Sequence, residues 1–401
     1  MKGASILVGV SGSIAAYKAA ELVRLLVKEE AMVRVVMTQG AQRFITPMTL
    51  QVLSGQPVLS DIFDLEAESQ IGHIEAARFA DLVILAPATA NLIARLAAGM
   101  ADDYLTTILL AARAPVLVCP AMNTKMYEHP ITQRNLNVLR ELGWRILDPC
   151  EGVLACKEEG RGRLADLPAI MAEASQLLTS PTLQGKKVLV SAGPTQEFFD
   201  PVRFISNPSS GKMGYALAAA AARRSAEVHL VTGPTSLPIP WGVEAVKTTG
   251  ALEMKDAVLD LADRMDVIIM AAAVGDYRPC ESCEQKIKKD SDELIVSMVK
   301  NPDILAMLGR SKPPRQVLVG FAAETENLVE NATEKLVRKN LDFIVANNLT
   351  RPGSGFQCDT NEVKIIHRDK GIEEVPCMPK TDVAEWILNR VEQVMATKRE
   401  A

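Results

Sequence analysis

Short, wholly apolar runs alternate along this chain with longer stretches in which apolar residues recur at helical spacing. The first run, Ile6–Val10, ends in Ser11-Gly12-Ser13. From Ala15 to Lys28, the residues Ala19, Leu22, Val23 and Leu26 share one helical face, and Val33–Met37 reads as the next buried strand. Strand, helix and strand in that order form a βαβ unit, whose strands run parallel. Leu82–Ala86 and Val116–Cys119 repeat the buried-strand pattern, and each runs into a proline-containing loop, at 86–91 and 120–123. Strands buried on both faces that end in small and polar residues predict a parallel sheet with ligands at its carboxyl edge.

The polar stretch Thr179-Ser180-Pro181-Thr182 interrupts the pattern, which then restarts. We expect a first domain over 1–180, a linker over 181–186 and a second domain over 187–401. In the second, Lys187–Ser191, Val228–Thr232, Val267–Ala271, Val317–Gly320 and Phe343–Ala346 read as strands. Met213–Arg224, Ala251–Arg264, Leu328–Lys339 and Thr381–Met395 read as helices. The fold class is therefore α/β in both halves, with no sequence repeat between them.

Composition narrows the function classes. A chain of 401 residues exceeds one ordinary core. Its 44 Lys+Arg nearly balance 49 Asp+Glu, which argues against a nucleic-acid binder, so an anionic ligand must be held by local clusters. With 48% hydrophobic residues a buried core is available, and disorder is not expected. Runs such as Val267–Val274 fall far short of the roughly 18 residues of a membrane span. Gly9, Ser11, Gly12 and Ser13 break the amino-terminal apolar run, which reads as a strand and its turn rather than a secretion signal. Seven scattered cysteines, an odd number, fit reduced thiols and a cytoplasmic location.

Candidate chemistry in the first half comes in pieces. Gly9-Val10-Ser11-Gly12-Ser13-Ile14 opens a helix, so its N–H groups, hydroxyls and helix dipole suit a phosphate, though a tight turn explains it equally well. His73 could exchange a proton near neutral pH, or simply be a surface or core residue. Asn123 offers an amide to a carboxylate, or is a turn residue. Cys156 sits in a loop with Gly160, Arg161, Gly162 and Arg163, the composition of a loop closing over an anion, or else is a small buried hydrophobe.

Together, the Gly9–Lys18 turn, His73, Pro87–Asn91, Pro120–Met126 and the Ala155-Cys156 loop, in that order, resemble the homo-oligomeric flavin-containing cysteine decarboxylases over residues 1–180. The resemblance implies a flavodoxin-like, Rossmann-type domain with FMN held between protomers in trimeric units. It implies cofactor contacts at Gly9, Ser11, Gly12, Ser13, Ile14, Thr38, Thr89, Ala90, Asn91, Leu92 and Ala121. In that family a cysteinyl thiol is oxidised, its neighbouring carboxylate leaves as CO₂, and the product is reduced again. His73 would assist the oxidative decarboxylation, Asn123 would bind the substrate carboxylate, and Cys156 would donate the final proton. A thiol near pKa 8.5 is largely protonated at neutral pH and suits that role. Arg161 and Arg163 are assigned to loop closure or substrate phosphate.

In the second half, Ser191–Thr195 and Asp200–Gly214 are poor in packing residues, and the latter runs into an Ala-rich helix. Their backbone donors and Lys212 suit a nucleotide or phosphate, without the spacing of a Walker loop. Lys286-Ile287-Lys288-Lys289 concentrates positive charge, and Lys335 and Lys339 are four apart on one helical face; each group taken alone also fits a solvated surface. Asn301–Ile304 and Gly320–Thr325 fall at expected strand edges.

These signatures, with Ala271–Asp276, resemble bacterial phosphopantothenate–cysteine ligases over 186–395, and the order of halves matches the bifunctional coenzyme A biosynthesis family. The resemblance implies a second Rossmann-like α/β domain, a ligase with dimeric contacts, that uses 4′-phosphopantothenate, cysteine, CTP and Mg²⁺. Nucleotide contacts would fall on Met270, Ala271, Ala272, Asp276, Lys286, Pro302, Asp303, Ile304, Leu305, Phe321, Lys335 and Lys339. Asn207 would bind the acyl-nucleotide and, with Lys286, serve catalysis; no metal ligands are assigned. Cys280-Glu281-Ser282-Cys283 has no second pair or spaced His and is read as incidental.

Overall fold

Each apolar run predicted as a strand before residue 180 enters a single sheet. In the computed structural model, β1 (Ser5–Val10), β2 (Met32–Met37), β3 (Val58–Leu59), β4 (Leu82–Ala88), β5 (Val116–Pro120) and β6 (Arg145–Ile146) lie in the order β3-β2-β1-β4-β5-β6, all parallel. The structure describes residues 1–60, 72–153, 158–288, 294–324, 326–348, 355, 357–368 and 371–400. It forms two compact units, Met1–Ser180 and Pro181–Ala401.

All six residues of β1 are buried because helices cover both sheet faces, which is why the strand reads as one apolar run. Ile6, Val8 and Val10 face Ala19, Leu22, Val23 and Leu26 of the helix Tyr17–Lys28. Leu7 faces the other way, onto the core that contains Ala76, Ala77 and Leu105. Strand order reverses between β1 and β4, the place where doubly wound sheets open a ligand crevice. The hairpin β7 (Cys150–Val153) and β8 (Glu159–Arg163) adds a small antiparallel pair.

In the second unit, β9 (Lys187–Ala192), β12 (Glu227–Thr232), β13 (Val243–Lys247), β14 (Val267–Met270), β17 (Val317–Glu324) and β18 (Phe343–Asn348) form the parallel part of an eight-stranded sheet. β19 (Thr360–His367) and β20 (Gly371–Pro379) extend it antiparallel, in the order β13-β12-β9-β14-β17-β18-β19-β20. The sequence pattern predicts no strand after Ala346. Burial along β19 is mostly alternating, so it lacks a continuous apolar run. Two three-residue pairs, β10 (Gln196–Phe198) with β11 (Phe204–Ser206) and β15 (Tyr277–Pro279) with β16 (Met298–Lys300), stand outside this sheet.

Residues 181–186, expected as a linker, pack with the second unit. Leu183 is buried in its core and its N–H donates to the Arg224 carbonyl at 3.0 Å. The helix Lys212–Arg223 crosses β9 at Gly214, where a Cβ would stand 2.5 Å from that of Ala192. Among the described residues, no helix is long and apolar enough to cross a membrane.

Candidate functional site

In the first unit the loops after β1, β2, β4 and β5 meet at the carboxyl edge. Ser11 stitches two of them: its hydroxyl donates to the Pro87 carbonyl at 2.7 Å and accepts the Thr89 N–H at 3.0 Å. Thr89 in turn caps the helix Ala90–Ala97 by accepting the Leu92 N–H at 3.3 Å. Gly12 lies against Gly40 so closely that a Cβ would stand 2.8 Å from the Gly40 carbonyl carbon. Thr38 accepts the Ala41 N–H at 3.3 Å and shapes that second loop. Gly9 sits deeper, within β1, where a Cβ would meet Leu85 at 2.6 Å and Leu105 at 2.8 Å. Its glycine is explained by packing rather than by a ligand.

A cavity of about 690 Å³ opens beside this edge. Ser13, Ile14 and Lys18 line one part, Ala121, Met122 and Asn123 another, and Val153 and Arg163 come from the hairpin. Ser13 also accepts the Ala15 N–H at 3.2 Å, which starts a short 3-10 turn, Ile14–Ala16, before the helix predicted from Ala15. Apolar lining beside a hydroxyl, an ammonium and a helix start fits a flat cofactor with an anionic tail. The size suits a flavin nucleotide.

Asn123 begins the helix Thr124–Glu128. Its Oδ1 accepts the Lys125 N–H at 2.9 Å, and its Nδ2 donates to Glu158 Oε2 at 2.9 Å. Lys125 Nζ stands 3.4 Å from the other Glu158 oxygen. The amide expected to hold a substrate carboxylate therefore already holds a carboxylate, that of Glu158.

The two loop arginines part company. Arg163 lines the cavity and pairs with Asp166 at 3.4 Å. Arg161 lies 3.6 Å from Asp148, which also accepts the Tyr127 hydroxyl at 2.9 Å. Burial and the Asp148 bond push the Tyr127 phenol up. His73 opens the helix His73–Phe79, which precedes β4. That helix packs on the sheet face opposite the helix Tyr17–Lys28, and His73 is absent from the described cavity lining. Cys156 lies outside the described residues.

In the second unit a cavity of about 380 Å³ lies beyond the carboxyl ends of β14 and β17. Seven side chains or positions expected at a nucleotide or phosphate site line it: Asn207, Lys212, Ala271, Ala272, Asp276, Phe321 and Lys335. Asn207 is pinned by donating to the Ala273 carbonyl at 3.1 Å and that of Val274 at 3.3 Å. The Ala272 N–H donates to Ser191 Oγ at 3.1 Å, which fixes the turn after β14.

Ser209, within the segment Asp200–Gly214 expected to hold a nucleotide or phosphate, is on the same lining, whereas sequence reasoning missed Asn347, Asn361 and Lys380 there. Lys380 is buried and donates to the carbonyls of Gly355 at 2.9 Å and Cys358 at 2.6 Å. Burial lowers its pKa. Nothing local marks these residues, because β18, β19 and the last helix bring them in from the far end of the chain.

Other expected nucleotide contacts stand off this lining. Met270 and Ile304 are core residues. Asp303 caps the helix Ile304–Ser311 through the Ala306 N–H at 3.0 Å and pairs with Lys339 at 2.8 Å. Pro302 and Leu305 flank that cap, and Lys286 is exposed on a separate segment. Gly320 lies inside β17 rather than at its edge, Lys289 and Thr325 lie outside the described residues, and Cys280 and Cys283 are free and exposed. Among the described residues, no three His, Cys, Asp or Glu side chains gather as a metal cage.

Residues 1–179 match the flavoprotein family, and residues 183–395 match the family of DNA/pantothenate metabolism flavoprotein C-terminal domains. The coenzyme A biosynthesis bifunctional protein CoaBC of Vibrio cholerae is 47% identical over 98% of this chain and 99% of its own. That of Escherichia coli is 48% identical over 98% and 97%, and that of Bacillus subtilis 47% over 96% of each. A crystal structure of the C-terminal domain of such a protein is 41% identical, covers 54% of this chain and 100% of its own, and has a TM-score of 0.47. Near-complete coverage in both directions shows that the chain belongs to the bifunctional coenzyme A biosynthesis family, in which a flavin-dependent decarboxylase precedes a ligase.

Proposed function

We propose that the second unit activates 4′-phosphopantothenate with CTP and joins it to cysteine, and that the first unit decarboxylates the product to 4′-phosphopantetheine with FMN. The observation that carries this reading is the convergence of Asn207, Ala271, Ala272, Asp276, Phe321 and Lys335 on one cavity, although they are spread over more than a hundred residues of chain.

A carboxylate is a poor acylating agent. Attack of the 4′-phosphopantothenate carboxylate oxygen on the α-phosphorus of CTP releases pyrophosphate and leaves an acyl-cytidylate. The cysteine amine then attacks the acyl carbon and CMP departs. Lys335 and Lys380 on the cavity wall offset phosphate charge as it redistributes. Asp276 is a suitable single protein ligand for Mg²⁺, which is commonly held by one or two carboxylates, phosphate oxygens and water.

In the first unit FMN, when bound, supplies the oxidation and re-reduction that bracket loss of CO₂. Ser13 and Lys18 would hold its phosphate at the helix start, beside apolar Ile14 and Met122. Asn123 receives the substrate carboxylate in exchange for that of Glu158. Cys156 delivers the last proton. His73 stands on the sheet face opposite the cavity-lining helix, which supports a site completed by a neighbouring protomer, as in trimeric decarboxylase units with dimeric ligase contacts. Free cysteines among the described residues accord with a cytoplasmic location.

Mass detection of products from 4′-phosphopantothenate, cysteine and either CTP or ATP tests the reading. Pyrophosphate and 4′-phosphopantetheine with CTP are expected. Nucleotide binding without pyrophosphate would leave a decarboxylase joined to an inactive ligase unit. Full turnover by Cys156→Ser would remove its assigned role.

A further inference from the structure

Asp200 follows β10 and is wholly buried, yet it is surrounded by donors. Its Oδ1 accepts the N–H groups of Val202 at 2.9 Å and Arg203 at 2.8 Å. Its Oδ2 accepts Arg203 Nε at 2.8 Å, Arg203 Nη2 at 2.5 Å and the Ile287 N–H at 3.2 Å. Arg203 Nη2 also donates to the Ile287 carbonyl at 2.9 Å. One ion pair thus satisfies both main-chain groups of Ile287, 87 residues further along the chain, much as a neighbouring strand would.

Two observations give this clamp a direction. Ile287 lies between Lys286 and Lys288, both exposed, so fixing its backbone fixes where the Lys286 ammonium starts. A second tether, the Cys283 N–H donating to the Phe199 carbonyl at 3.0 Å, holds the same segment four residues earlier. The clamped loop runs through β11 to Asn207, which lines the ligase cavity. The Asp200 turn therefore joins the segment that carries Lys286 to the one that carries Asn207.

We infer that Asp200, with Arg203, is a positioning residue for ligation: it holds the Lys286 segment so that this lysine meets the triphosphate in the pyrophosphate-releasing step. The inference rests on the CTP reading above. A carboxylate is needed because it accepts every donor, whereas an asparagine would turn its own N–H groups toward them. Arginine is needed because a lysine cannot span the Asp200 carboxylate and the Ile287 carbonyl as a planar fork.

The test compares the full chain with Asp200→Asn, Arg203→Lys, Lys286→Gln and the double variants that combine each clamp change with Lys286→Gln. Asp200→Asn is expected to slow CTP-dependent pyrophosphate release by roughly 100-fold, as for a misplaced catalytic group. Adding it to Lys286→Gln should cost nothing further, because it acts through that lysine. Decarboxylation of supplied 4′-phosphopantothenoylcysteine stays at the wild-type rate. Amide exchange over residues 284–288 should quicken in Asp200→Asn whether or not nucleotide turns over. Additive losses in the double variant, or unchanged exchange, would overturn the inference; a merely structural role gives additive losses. If Asp200→Asn fails to fold, Arg203→Lys answers through the same comparison. Wild-type protein that releases no pyrophosphate with CTP would sink the CTP reading, while the exchange measurement still judges the clamp.

Discussion

Gly160 rests on Thr124 so closely that a Cβ on the glycine would stand 2.6 Å from Thr124 Oγ1. Two residues on, a Cβ at Gly162 would meet the Met122 carbonyl oxygen at 2.2 Å, while the Gly162 carbonyl accepts the Met122 N–H at 3.0 Å. The hairpin is thus seated by two glycines on the loop that carries Asn123. Alanine at 162 must drive backbone from backbone, whereas alanine at 160 meets a side-chain oxygen. Gly162→Ala is expected to slow decarboxylation of supplied 4′-phosphopantothenoylcysteine by roughly 100-fold, with ligation unchanged. Gly160→Ala should also slow it, through the Thr124 contact and through a φ of 157° that alanine adopts only with strain, so Thr124→Ala in the same chain should recover only part of the loss. No recovery at all would show that the Thr124 contact does not contribute to seating the hairpin.

Asn123 has two separable duties, capping and carboxylate binding. Aspartate caps a helix as well as asparagine does, so Asn123→Asp should leave thermal stability within about 0.5 kcal/mol. It removes the amide donors and sets a negative charge beside Glu158 and the incoming substrate. Decarboxylation should fall steeply through KM, with pyrophosphate release in the ligase assay untouched. Glu158→Gln should do the reverse and lower KM several-fold, because a neutral occupant competes less well than a charged one for Asn123 and Lys125. Equal KM values for wild type and Glu158→Gln would remove Glu158 from the substrate exchange.

Legibility in the sequence followed burial. β1, β4, β9 and β14 are covered on both faces, so composition alone marks them. β19 is half covered and β20 mostly exposed, and the short pairs β10/β11 and β15/β16 are too brief to carry any period. The same contrast holds for the sites. Asn207, Asp276 and Lys335 sit in recognisable motifs, and those motifs meet at a sheet edge whose position the strand order dictates. Glu158, Asp148 and Lys380 act through partners distant in the chain, and no local pattern marks such a pairing. Lys339 shows a limit of spacing. Its spacing from Lys335 suggests shared duty, but a helix face says where side chains start, not whom they reach.

Arg224 ties the end of the helix Lys212–Arg223 to the helix Lys380–Glu400. It is buried and donates to Glu385 and Glu392, each at 2.6 Å, and to Asn389 at 2.7 Å. Burial opposes ionisation of Glu385, but the bonds from Arg223 and Arg224 prevail and hold its carboxyl below the usual range. A carboxyl lowered on folding contributes stability that is fully present above its unfolded value, about 4.3, and is lost as pH falls through the lower folded value. Arg224→Met should cost about 2 kcal/mol at neutral pH, toward the low end for a buried pair because Glu385 also reaches water. The variant should also lose less stability than wild type on acidification. Hydrogen exchange over residues 380–398 across a pH series checks both; parallel curves would assign the acid slope to other carboxyls.

Lys335 and Lys339 are one helical turn apart, and Lys339 is paired with Asp303. Lys335 lines the ligase cavity with Asn207 and Asp276. Lys339 stands 2.8 Å from Asp303, whose carboxyl also caps the helix Ile304–Ser311. Burial raises the Asp303 pKa, and Lys339 together with the Ala306 N–H more than offsets it, leaving the carboxyl below its ordinary range. Removing Lys339 therefore leaves a half-buried carboxylate with its cap alone, a cost of about 1 kcal/mol to the second unit. Removing Lys335 takes a positive charge from the cavity. Lys335→Gln should raise the KM for CTP by roughly 10–100-fold, the effect of losing one charge-assisted contact of about 1.4–2.7 kcal/mol. Lys339→Gln should lower melting and move that KM by no more than a few-fold. If instead both variants weaken CTP equally and melt alike, the two lysines share the nucleotide, and the Asp303 pair must open when CTP binds.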